Sequence, residues 1–117
     1  MTGTKPSKIG LVRVGTHTVL APKGSLTVEN FEALESMFDE LPKQPKMEIV
    51  LDLKDVPFMD STALELLVRL DDELKEQGSA LKLANLNDIC RDILYATRLI
   101  NIFLVYEDIQ KAVRSDR

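Results

Sequence analysis

One histidine and one cysteine stand in the chain, so the residue types that most often carry acid–base or nucleophilic chemistry are nearly absent. His17 falls in Gly15-Thr16-His17-Thr18, between two apolar stretches, and reads as a solvated turn residue with no nucleophile beside it. Cys90 opens a helical segment, where a helix N-terminus can lower a thiol pKa. A buried, inert thiol is the expectation set against it. The patterns HExxH, CxxC, GxGxxG and GxxxxGK[ST] are absent, and the carboxylates fall at the spacing of solvated helix faces. The expectation is a protein without catalytic residues, metal or cofactor.

One stretch remains that places reactive groups unusually: Val56-Pro57-Phe58-Met59-Asp60-Ser61-Thr62-Ala63-Leu64. It sets a hydroxyl-bearing turn between an apolar strand-loop unit and a long apolar helix. Capping accounts for part of it. Asp60 or Ser61 can accept from the first free helix N–H groups, and Thr62 with Glu65 has the spacing of a capping box. The same geometry suits a switch. A hydroxyl at a helix N-terminus is accessible, and the unpaired N–H groups there tolerate a phosphate. Phosphorylation of Ser61 would add about 1.5 to 2 negative charges next to Asp60 and repel a docked partner without refolding the domain. Thr62, one residue deeper in the helix, is the weaker acceptor.

The elements that position this turn are legible from periodicity. Residues 1–7 read as a flexible tail. Ile9 to Val14 and Val19 to Ala21 read as two strands joined by a tight connection, closed by Pro22 and Gly24. Val28, Phe31, Leu34, Phe38 and Leu41 then recur at helical steps, with Thr27 as N-cap, Glu29 in the first turn, and Pro42 and Pro45 as terminators. Met47 to Leu53 reads as a strand covered on both faces. A helix follows to about Gln77, with Leu64, Leu67, Val68 and Leu74 as its buried stripe, Leu66 and Leu70 widening it, and Gly78 in the left-handed cap position. Ala80–Ala84 is a strand, Asp88–Leu99 a helix, Ile102–Val105 a strand, and Glu107–Val113 a closing helix. Alternating strands and helices require right-handed crossovers and a mainly parallel α/β sheet, with the opening strand antiparallel.

Composition fits one domain. The chain has 117 residues, 44% of them hydrophobic and 29% charged, ordinary values for a globular chain. The formal net charge is −4, and no basic stripe offers a nucleic acid its phosphate contacts. A single cysteine suits a reducing compartment, and neither a signal peptide nor a spanning segment is visible. Cytoplasmic localisation without membrane insertion is expected.

Val50-Leu51-Asp52-Leu53 followed by Val56 to Leu64 resembles the signature of STAS domains, the family of bacterial anti-sigma factor antagonists. Gly24-Ser25-Leu26-Thr27 resembles the family's turn before its first helix, and Gly78 to Leu83 its next strand entry. Ile93 to Leu99 with Ile102-Phe103 resembles its last helix and strand. The resemblance implies a STAS fold over residues 8–117, a mixed sheet of four to five strands flanked by about four helices. It further implies partner switching. The unphosphorylated protein binds an anti-sigma factor that is a serine/threonine kinase of the histidine-kinase-like ATPase fold. That kinase phosphorylates Ser61, the complex falls apart, and a PP2C-type phosphatase resets it. Asp60, Ser61, Thr62, Ala63 and Leu64 are the implied partner-binding residues. Three positions depart from the family pattern: Ala63 and Arg98 replace glycines, and Thr27 replaces an acidic residue. A second reading keeps the fold and makes the chain a scaffold or accessory subunit of a signalling or lipid-transport complex. A third, a nucleotide or small-molecule sensor, lacks a glycine-rich phosphate loop. A monomer or weak dimer is expected, the latter through the exposed edge strand.

Overall fold

The alternation of strand and helix periodicity resolves into a five-stranded sheet with strands in chain order. The computed structural model describes residues 9–41 and 48–114. The elements are β1 (Ile9–Val14), β2 (His17–Pro22), α1 (Phe31–Glu40), β3 (Glu48–Asp52), α2 (Ser61–Glu76), β4 (Leu81–Ala84), α3 (Asp88–Ala96), β5 (Leu104–Tyr106) and α4 (Ile109–Arg114). The sheet order is β1-β2-β3-β4-β5. β1 runs antiparallel to β2, and every later pair is parallel. The expected tail, Pro42, Pro45 and Met47 lie outside the described residues.

Side-chain alternation divides the sheet into two unlike faces. Leu20, Ile49, Leu51, Leu81 and Leu83 meet Phe31, Leu34 and Phe38 of α1, the leucines of α2, and Cys90 and Leu94 of α3 in the main core. On the opposite face Val19, Val50 and Ala84 pack against Ala112 of α4. Three helices on one side follow from right-handed crossovers that step steadily across the sheet. β3 is therefore covered on both sides, which is why its sequence is apolar almost without interruption. In α2 the buried stripe is Ala63, Leu64, Leu67, Leu70 and Leu74, with Asp71 among them. Val68, expected in that stripe, is only half-buried.

Two local expectations are corrected. His17 is not a solvated turn residue. The β1–β2 turn needs only Gly15 and Thr16, because Gly15 adopts φ +62°, so His17 pairs with Val14 and Glu48 inside the sheet. It is 6% exposed. Thr27 is not the N-cap of α1, which starts at Phe31 behind Asn30. The Asn30 side chain instead accepts from the Thr27 backbone N–H at 2.8 Å and closes a separate turn. Val28 is left outside the helix and exposed.

Both α2 and α3 end in a Schellman motif. In α2 Gly78 N–H donates to Lys75 and Ser79 N–H to Leu74, with Gly78 at φ +84°. In α3 Arg98 N–H donates to Tyr95 and Leu99 N–H to Leu94, but the left-handed residue, at φ +64°, is Arg98. Its Cβ pays the steric cost that glycine escapes. Arg98→Gly is expected to raise unfolding stability by about 0.5–1 kcal/mol, read as an increase in denaturant midpoint at constant slope.

Candidate functional site

The loops leaving the C-terminal ends of β2, β3 and β4 meet at one end of the sheet. The first two are joined like strands. Gly24 N–H donates to Asp55 at 2.9 Å, Leu26 N–H to Phe58 at 2.9 Å, and Asp60 N–H to Leu26 at 3.1 Å. Leu26 and Met59, buried beneath this seam, form a parallel bridge. The third loop is tied in by Asn87. Its amide donates to the Val56 and Pro57 carbonyls, both at 3.4 Å, and its oxygen caps α3 by accepting from Cys90 N–H at 2.7 Å.

Asp60 is the keystone of this end. Its Oδ1 accepts from Ala63 N–H at 2.9 Å, capping α2, and its Oδ2 accepts from Val28 N–H at 3.0 Å across the seam. One carboxylate thus fixes both the helix start and the β2–α1 loop, while Leu64 N–H closes the first helical turn onto the Asp60 carbonyl at 3.1 Å. The expected Thr62–Glu65 capping box does not form, because Asp60 already occupies the N-cap and Thr62 lies inside the helix.

Ser61 is the first residue of α2 and is exposed; Thr62 is half-buried. Ala63 and Leu64, implied as partner-binding residues, turn inward and are 0% and 4% exposed. They support the site from the core and offer a partner no side-chain surface. The Ala63 methyl therefore does not stand in the path of an approaching protein. The exposed apolar residues at this end are instead Val28, Phe58 and Ile89, at 63%, 45% and 56% exposure. Phe58 sits in the motif already singled out. Val28 and Ile89 could not be recognised locally, since each reads as the apolar face of its own helix.

Cys90 lies beneath the site, fully buried, with its Sγ 3.5 Å from the Val56 carbonyl. Burial pushes its thiol pKa up, the opposite of activation by the helix start. Beside the seam Asp52 Oδ1 accepts from Lys54 N–H at 3.1 Å and from the Asn85 amide at 2.9 Å. That bond helps hold Asn85 at φ +63° as the chain leaves β4. Among the described residues no three His, Cys, Asp or Glu side chains converge on a metal-sized site, and no helix is long and apolar enough to cross a membrane.

Known proteins share this fold. A candidate anti-sigma factor antagonist of Thermotoga maritima is 28% identical over 100 residues, which cover 85% of this chain and 88% of that protein. A crystal structure of a candidate anti-sigma factor antagonist from Thermotoga maritima superposes with TM-score 0.80 at 25% identity, covering 91% of this chain and 92% of that one. A sulfate transporter family protein from Wolinella succinogenes shares the fold, with TM-score 0.76 at 21% identity over 88% of this chain and 86% of that one. The STAS domain family model matches residues 8–112, nearly the whole described sheet with its helices, and the chain belongs to the STAS domain family.

Proposed function

We propose that the protein is a cytoplasmic anti-sigma factor antagonist that acts by phosphorylation-controlled partner switching, with Ser61 as the acceptor. The observation that carries the reading is Ser61 itself. It is an exposed hydroxyl on the first residue of α2, directly after the capping aspartate, at an end of the sheet where Val28, Phe58 and Ile89 are also exposed. An apolar surface of this kind suits a protein partner. Unphosphorylated Ser61 adds no charge at the helix start, and the anti-sigma factor docks.

Phosphate on Ser61 changes the electrostatics and leaves the packing alone. Helix N–H groups and the helix dipole favour an anion at this position. The Ala63 N–H, however, is already taken by Asp60. The phosphate therefore stands beside an existing carboxylate, and the pair of anions faces the partner. Docking would desolvate both, which expels the partner while α2 stays folded. Relatives that carry the antagonist name support the general role. The kinase and the PP2C-type phosphatase complete the proposed cycle.

The test is incubation of the protein with ATP and the ATPase-fold kinase encoded nearest to it, followed by phosphosite mapping by mass spectrometry. Phosphate on Ser61, and its loss in Ser61→Ala, is the expected result. An active kinase that leaves Ser61 bare would turn the assignment toward a constitutive scaffold or accessory subunit.

A further inference from the structure

The outer face of the sheet contains a buried polar cluster that the Ser61 site does not use. Lys82 on β4 is 1% exposed, and its Nζ lies 3.0 Å from His17 Nε2, 2.9 Å from the Ala112 carbonyl of α4 and 3.6 Å from Glu48 Oε1. The Tyr106 ring of β5 lies beneath it, 5.6 Å from Nζ to the centroid. An ammonium only donates, so His17 Nε2 must accept and the imidazole is neutral with its proton on Nδ1. Lys82 thereby joins β2, β3 and β4 to α4, a helix of six residues that also packs through Ile109, Ala112 and Val113 with Val19, Val50, Ala84 and Tyr106.

We propose that His17 is a proton-operated release for α4. Protonation turns Nε2 into a donor 3.0 Å from a second donor, so the ring and Lys82 repel each other, and displacement of Lys82 weakens its bond to the Ala112 carbonyl. Two neighbours oppose each other in setting the imidazole charge. Glu48, 3.8 Å from Nε2, favours the protonated ring. Lys82 is closer, and Glu48 is shared with it. Burial adds to Lys82, and the His17 pKa is lowered, with desolvation the first cause and Lys82 the second. Tyr106 is the titratable neighbour from β5. Val14, paired with His17 from β1, is apolar. On α4 Lys111 is exposed and turned to Glu107, and Arg114 is exposed.

The sign follows from proton counting. With α4 docked, His17 binds a proton less readily than in free solution. Docking is complete above the free value of about 6.5 and weakens as pH falls below it, by up to about tenfold in the open population per pH unit. The single histidine makes its C2 proton an unambiguous NMR probe. The experiment follows that resonance together with amide exchange, corrected for intrinsic rates, at pH 7.5 and 5.5. Expected is a His17 midpoint below 6.5 and a loss of protection, at most about tenfold, confined to α4, while β3 amides keep theirs. His17→Gln, neutral at both pH values, should remove the difference. Unchanged α4 protection at pH 5.5, loss shared equally by β3, or a pH effect that persists in His17→Gln would each overturn the proposal. Wild-type protein alone decides the first two.

Discussion

Ser61→Asp is expected to weaken anti-sigma factor binding by about 2 kcal/mol, on the order of thirtyfold, without loss of fold. The fold survives because Ser61 is the exposed first residue of α2, where a negative side chain complements the helix dipole by a few tenths of a kcal/mol. The capping bond, from the Ala63 N–H to the Asp60 carboxylate, is untouched. Binding suffers because a partner covering Val28, Phe58 and Ile89 would have to desolvate two adjacent carboxylates. Ser61→Ala separates charge from contact, since it removes only a hydroxyl; it should bind as the wild type does and resist release by kinase and ATP. Titration calorimetry with the purified anti-sigma factor reads both variants, and circular dichroism reads the fold. Unchanged affinity in Ser61→Asp would sink the switch.

The largest effect on stability is expected at Asp71, which lies in the buried stripe of α2 and is 0% exposed. Its Oδ1 accepts from Leu81 N–H at 2.9 Å, at the first residue of β4, and its Oδ2 lies 2.9 Å from Lys75 Nζ as an ion pair one helical turn on. The carboxylate stitches the middle of α2 to the start of the strand that follows it. Asp71→Ala strands the buried Leu81 N–H and opens a small void, a loss of about 2–4 kcal/mol. Asp71→Asn keeps an acceptor for Leu81 and loses the ion pair, so roughly 1 kcal/mol is expected. Lys75 is half exposed, and water replaces most of what it loses. Against a total of about 5–15 kcal/mol for a domain of this kind, the alanine variant should show a sharply lower denaturant midpoint with an unchanged slope. Equal stability of the two variants would refute the hydrogen-bond account.

What the amino-acid sequence determined by itself is whatever depends on periodicity and local backbone chemistry. The 3.6-residue rhythm from Leu64 to Leu74, the glycine at Gly78 and the unbroken apolar run of β3 each dictate an element over a few residues, and together they order the chain. The accessible Ser61 at a helix start belongs to the same class, because a helix N-terminus and its cap are local structures. Tertiary structure decided what depends on residues distant in the chain. His17 reads as polar and turn-like, yet Lys82, 65 positions away, gives it a buried partner. Thr27 has the composition of a cap, but Asn30 folds back on it and Asp60 takes the neighbouring Val28 N–H, so α1 starts later. Ala63 and Leu64 share the Ser61 motif, and only the rotation of α2 against the sheet sends Ser61 to solvent and these two into the core. A sequence specifies which residues want burial or a hydrogen bond; the packed sheet decides which of them find it and on which face.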